Sequence, residues 1–232
     1  MANNNIVIIL SRPQLGENIG ACARAMKNFG ISELRIIEPR DGWPNSKAIS
    51  ASAGASDIIE SAKIYENISD ALADLEFIYA TTSKKRAINK DYVLTKDLGS
   101  SFDKSLKTGI LFGRENWGLS NEEVSYATKI ITIDTDPEFA SLNIAQSVLV
   151  ICYELFNKCQ RPDLANTQNL ATKEEMGFFC EHLFSILETK NFFKIREKEE
   201  QMKLNIRNIF ARIEKLSKNE VKTLRGILSS ME

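Results

Sequence analysis

The chain has 232 residues, 43% of them apolar and 26% charged, the make-up of a folded globular protein. A formal net charge of −1, from 30 basic and 31 acidic side chains, gives it no general attraction to a polyanion or a membrane surface. Four cysteines without C-x-x-C spacing, and a single histidine, argue against a zinc cluster and against histidine acid–base chemistry, so no metal is expected.

The polar start, Met1 to Asn5, leads into an apolar run, Ile6–Leu10. That run is too short to span a membrane and lacks the flanks of a signal peptide, so a cytoplasmic protein without membrane contact is expected. Ile6–Leu10 reads as a strand, and Asn18–Phe29 as a helix stopped by Gly30. Leu34–Glu38 is the next strand, closed by Pro39. A small-residue helix over Lys47–Ala53 is interrupted by Gly54, and Lys63–Tyr65 suits a short strand. Ser69 is placed to cap a helix over Asp70–Asp74, ahead of a strand at Phe77–Thr81. Gly109–Phe112 gives another strand. Ser120 with Glu123 forms a capping box for a helix over Asn121–Ala127, and Lys129–Ile133 completes the strands. This alternation predicts an α/β fold with a mostly parallel sheet.

Leu142–Lys158 is apolar on nearly every side, which predicts a helix buried between the sheet and something else, such as a second copy of the chain. Residues 160–171 are polar and contain Pro162, as a linker would. Beyond them the pattern is helical. Thr172 and Glu175 form a second capping box, with helix to about Thr189, and Ser217 and Glu220 a third. Ile206, Ile209, Phe210 and Ile213 lie at amphipathic helix spacing. The expected organisation is a domain over 1–159, a linker over 160–171 and a small all-α C-terminal extension over 172–232. Seven basic residues against two acidic ones fall between Lys203 and Arg225, and Lys84, Lys85, Arg86 and Lys90 form a smaller cluster. Such runs are more often solvated surface than binding sites, but they permit contact with RNA.

Three segments at strand ends carry more glycine and charge than packing requires, and ligands of open α/β sheets bind at the carboxyl ends of strands. The first runs from Asn18 to Arg24 and includes Gly20, read as room for close backbone approach. A guanidinium at Arg24 can hold an anionic oxygen through two parallel hydrogen bonds. In the second, Leu111–Gly118, a strand ends in Gly113, then Arg114 and Glu115, then Gly118, with Trp117 expected to need shelter. The third, Ile133–Asn143, enters the apolar helix through Ser141, Leu142 and Asn143. Ser141 suits an N-cap, whereas Asn143 inside a first turn is costly to bury unpaired. The chain has no Walker phosphate loop, no dinucleotide glycine fingerprint and no nucleophile elbow, which disfavours a nucleotide-binding oxidoreductase among other common enzymes of parallel sheets.

Together the segments resemble the signature blocks of the SPOUT class, and within it the SpoU family of RNA ribose methyltransferases: N-x-G-x-x-x-R, F-G-x-E-x-x-G and S-L-N before an apolar helix. They stand here as Asn18–Arg24, Phe112–Gly118 and Ser141–Asn143. The segments Ala23–Lys27, Ala53–Asp57 and Leu224–Leu228 look similar to the tRNA methyltransferase J subfamily, so the resemblance spans nearly the whole chain. Two positions depart from it. Ala140 stands where a second serine is expected, and Trp117 where an aromatic is unusual.

The resemblance implies a C-terminal trefoil knot in the sheet domain, which strand patterns alone would never suggest, and a homodimer. It implies S-adenosyl-L-methionine as methyl donor, held by Thr81, Thr82, Ser83, Gly113, Glu115, Ile133, Ala140, Ser141 and Leu142. It also implies catalytic roles for Arg24, Asn18, Ser141 and Asn143. The expected activity is 2′-O-methylation of a tRNA cytidine or uridine at position 32 of the anticodon loop. Arg24 is the family's candidate base, but arginine holds its proton above pH 12 or so, which favours a role in orienting and stabilising the developing alkoxide. Lys84, Arg86, Lys203, Arg207 and Arg212 are the expected contacts to RNA phosphate. The rival readings are the same chemistry on ribosomal RNA, and an inactive RNA-binding module.

Overall fold

The computed structural model describes residues 5–83, 88–158, 169–213 and 216–231. Lys84, Lys85, Arg86, Cys159 and residues 160–168 of the expected linker lie outside these. Seven strands form one sheet: β1 (Ile6–Ser11), β2 (Glu33–Ile37), β3 (Lys63–Tyr65), β4 (Phe77–Thr81), β5 (Tyr92–Leu94), β6 (Thr108–Phe112) and β7 (Lys129–Thr132). Their spatial order is β3-β2-β1-β6-β4-β7-β5, and every pairing is parallel.

A strand turns successive side chains to opposite faces. In β1, Ile6, Ile8 and Leu10 enter one core and Val7 and Ile9 the other, so the run had to be apolar throughout. Helices α1 (Gly16–Asn28), α2 (Ser46–Ala51), α3 (Ser56–Glu60) and α5 (Leu98–Ser101), with α7 (Ile144–Lys158), supply the first core. Helices α4 (Ile68–Leu72) and α6 (Asn121–Ser125) cover the second. There Arg35 is fully buried, its guanidinium shared between Glu33 and Asp74 and donating to the Ala71 carbonyl at 2.7 Å.

Helices α8 (Lys173–Thr189), α9 (Arg196–Ala211) and α10 (Lys218–Ser229) have a core of their own, built on Phe179, Phe184, Ile186, Val221 and Leu228. Thr172 and Ser217 cap α8 and α10 in complete capping boxes, as does Ser120 for α6. The start of α8 is tied to the sheet domain, since the Lys173 and Glu174 amides donate to the carbonyls of Leu75 and Ala73 at 2.8 and 2.9 Å.

Several expectations are corrected. Asn67, not Ser69, caps α4, its side chain accepting from the Asp70 amide at 2.9 Å. The helix expected from Leu142 begins at Ile144, and within one chain one of its faces is covered. Ile144, Val148, Ile151, Cys152 and Leu155 point inward, while Leu149, Tyr153 and Phe156 are exposed. The short elements α3, α5 and β5 lie where no sequence pattern indicated them.

Candidate functional site

Strands β4, β6 and β7 lie side by side, so their carboxyl ends open on one place, and a cleft of about 560 Å³ lies there. Thr81, Thr82, Ser83, Gly113, Glu115, Ile133, Ala140, Ser141 and Leu142 all line it, so the residues expected to hold a donor come together from three loops. Phe112, Arg114, Asn116, Trp117, Leu119, Ile131 and Ser147 also line it. Among these the apolar strand-end residues were legible only as core, because a run of buried residues does not reveal which of them ends at a cavity.

The middle loop is bent sharply. A Cβ on Gly113 would meet the Gly118 carbonyl carbon at 2.1 Å, so that position requires glycine, and Gly118, with a φ of +65°, lies where glycine is favoured. The Gly118 amide closes the turn on the Arg114 carbonyl at 2.8 Å. Within the turn, the Glu115 carboxylate faces the entrance to α1. It accepts from the Gln14 amide at 2.9 Å, the Leu15 amide at 3.4 Å and Asn18 Nδ2 at 2.9 Å. Asn18 Oδ1 in turn accepts from Asn143 Nδ2 at 3.1 Å. The three sequence blocks are thus joined by one chain of hydrogen bonds, Asn143 to Asn18 to Glu115.

This arrangement revises several roles. Asn143 occupies the cap position of α7, accepting from the Ala145 amide at 2.8 Å, so Ser141 is not the cap and stays free to line the cleft. Gly20 does not make room for a ligand. A Cβ there would meet the Ala48 carbonyl oxygen at 2.3 Å and Ala51 Cβ at 2.7 Å, so it admits α2 against α1. Arg24 is exposed, does not line the cleft, and makes no hydrogen bond or ion pair among the described residues. It lies roughly 120° around α1 from Asn18. Trp117 is not sheltered but 80% exposed.

Of the other expected RNA contacts, the described ones are engaged within the chain. Lys203 pairs with Glu188 at 2.7 Å and Glu199 at 2.6 Å, and those hydrogen bonds hold its ammonium pKa up. The Arg207 guanidinium lies over the rings of Tyr126 and Phe184 at 5.1 and 5.9 Å. Arg212 donates to the Asn89 carbonyl at 3.1 Å. On α10, Lys222 and Arg225 are exposed and unpaired among the described residues. Sequence alone gives the sign of these charges and the helix that carries each, but not the neighbour that each one meets.

The cleft suits a nucleoside-sized ligand. Its volume falls in the range of small-molecule sites, and the polar residues Thr81, Thr82, Ser83 and Ser141 stand among those that line it. No thiol among the described residues lines it: Cys22, Cys152 and Cys180 are buried elsewhere, and burial pushes the Cys152 thiol up to about 12. Among the described residues there is no cluster of histidine, cysteine and carboxylate side chains able to hold a metal, and no helix long and apolar enough to cross a membrane.

Comparison with known proteins gives two family models, the SpoU rRNA Methylase family over residues 5–153 and the C-terminal domain of tRNA methyltransferase TrmJ over residues 174–232. The tRNA (cytidine/uridine-2'-O-)-methyltransferase TrmJ of Photorhabdus laumondii is 32% identical over 236 residues, which cover 98% of this chain and 97% of that one. The crystal structure of TrmJ from Z. mobilis ZM4 superposes with a TM-score of 0.88 at 37% identity, covering 97% of this chain and 98% of its own. The SpoU methyltransferase AviRb from Streptomyces viridochromogenes, solved with AdoMet, shares the fold at 20% identity. Its TM-score is 0.56, over 70% of this chain and 60% of that one.

Proposed function

The chain belongs to the SpoU family of RNA methylases, and from there we propose that it transfers a methyl group from S-adenosylmethionine to a ribose 2′-hydroxyl of tRNA, on a cytidine or uridine at position 32 of the anticodon loop. The observation that carries this reading is the convergence of three strand-end loops, at Thr81–Ser83, Gly113–Glu115 and Ile133–Leu142, on one cleft, in a chain similar over its whole length to tRNA 2'-O-methyltransferases. When bound, the donor supplies a methyl carbon activated by its sulfonium. Backbone groups of the loops at Thr81, Gly113 and Ile133–Leu142 would hold it. Glu115 and Asn18 fix the loop geometry, and Ser141 polarises the incoming hydroxyl.

Arg24 completes the site from a second copy. The exposed stripe of Leu149, Tyr153 and Phe156 lies beside α1, with Phe29 packed edge-on against Tyr153 at 5.9 Å between ring centres. A two-fold dimer across this face covers the apolar stripe and carries each Arg24 toward the partner's cleft, where its charge stabilises the developing alkoxide. The position of β7 between β4 and β5, followed by the return of α7 onto α1, supports the family's trefoil knot. In the helical extension, Lys222 and Arg225 on α10 are the side chains proposed to meet tRNA phosphate.

Incubation with labelled methyl donor and separate tRNA and rRNA pools, followed by mapping of the modified ribose, tests the reading. Label on a pyrimidine 2′-oxygen of the tRNA anticodon loop is expected. Label confined to rRNA, or none, overturns it.

A further inference from the structure

Two aromatic side chains stand out of the protein, Trp117 among the residues that line the cleft and Phe139 beside Ala140, which lines it. Trp117 is 80% exposed and Phe139 is 81% exposed, more than any other large apolar side chain among the described residues. Neither belongs to a floppy stretch by its bonding. The turn that bears Trp117 is closed by Gly118 on Arg114, pinched at Gly113, tied through Glu115 to two backbone amides and Asn18, and tied again by Asn116 Nδ2 to Gln14 Oε1 at 3.2 Å. Phe139 is carried on the neighbouring rim loop, where its amide donates to the Asp136 carbonyl at 3.0 Å, next to Ala140 on the cleft wall.

A rigid turn that holds an indole in water forgoes its burial, about 25 cal/mol for each Å² of apolar surface left wet. The ring gains only if something flat and apolar arrives to cover it. Resting on the reading of the cleft as an RNA methyltransferase site, such a partner comes with the substrate. A ribose that reaches the cleft brings an unpaired base to its rim, and proteins bind unpaired bases by stacking them on aromatic faces.

The geometry points to Trp117, with Phe139 on the adjacent loop, as the stacking platform for the unpaired nucleobase at the methylated ribose. Every base has a π-face, so this platform positions the nucleotide without choosing among bases. It is a positioning device and takes no proton.

The test is steady-state methylation of tRNA by the wild type, Trp117→Ala and Trp117→Phe, with the donor Kd measured calorimetrically and the oligomeric state by sedimentation for each. Trp117→Ala is expected to raise KM for tRNA by about tenfold while kcat and donor Kd stay within about twofold, and Trp117→Phe to recover most of the loss. A loss that falls on donor Kd makes the ring a cover for the donor and overturns the inference. A loss of self-association with KM unchanged makes a second copy its partner and overturns it too, as does no change at all. If the wild type transfers no methyl group to tRNA, the underlying reading fails, and the stacking role fails with it.

Discussion

Glu115 holds three donors from the entrance to α1, and a glutamine in its place presents an amide N–H₂ toward at least one of them. Glu115→Gln is expected to cost about 1 to 3 kcal/mol of stability and to lower kcat/KM by tenfold or more, checked by thermal melts and the methylation assay. Lys90 is the other residue whose surroundings decide its behaviour. Its ammonium is buried, donates to the carbonyls of Ser125 (3.1 Å) and Ala127, and has no carboxylate partner among the described residues. Burial, with the nearby charges of Lys173 and Arg212, pushes its pKa down to about 7 from 10.5. Between those values the unfolded chain binds more protons than the folded one, so this group makes stability rise with pH across the window. The melting temperature of the wild type minus that of Lys90→Met is therefore expected to grow between pH 7 and pH 9.5. A difference that stays flat or shrinks would show that Lys90 does not carry the effect.

At the scale of elements, the contact between α1 and α2 depends on Gly20. Any side chain there strikes the Ala48 carbonyl, the Ala51 methyl and the Ser52 amide, all backbone or short groups that cannot swing away. Gly20→Ala is expected to destabilise the protein by about 1 to 3 kcal/mol, despite the better helix propensity of alanine, as read in denaturant melts. The sequence pattern identified this glycine but not its purpose, because a glycine for packing and a glycine for a ligand look alike until the neighbour is known. The main strands were legible because each is an apolar run bounded by polar or turn residues, and the three capping boxes fixed α6, α8 and α10 within a few residues. Helix α3, whose cap residue Ala55 makes no side-chain hydrogen bond, and strand β5, three residues at the sheet's edge, offered neither a capping signature nor a long apolar run. At α4 both Asn67 and Ser69 can cap. The choice fell to Asn67, to which the Ser69 hydroxyl donates at 3.1 Å.

At the scale of the whole molecule, the cleft-lining residues were legible through the family blocks, and the separation of Arg24 from them within one chain agrees with the proposal that it serves the site of a second copy. Mixing an Arg24→Ala protein with a Gly113→Ala protein, each inactive alone, is expected to restore about a quarter of the activity, since only mixed dimers then hold an intact shared site. No recovery would place Arg24 and the cleft of the same chain in one site. The hydrogen-bond chain through Glu115 has a broader effect. It links segments that lie 97 and 125 residues apart, so each bond forms only after a long stretch of polypeptide has been gathered in. Slack at any one of the three linked segments loosens the other two. The pocket wall supplied by the Glu115 turn and the entrance to α7 consequently has no half-built form: it is bound to arise late, once the sheet is in register, and to be lost as a unit.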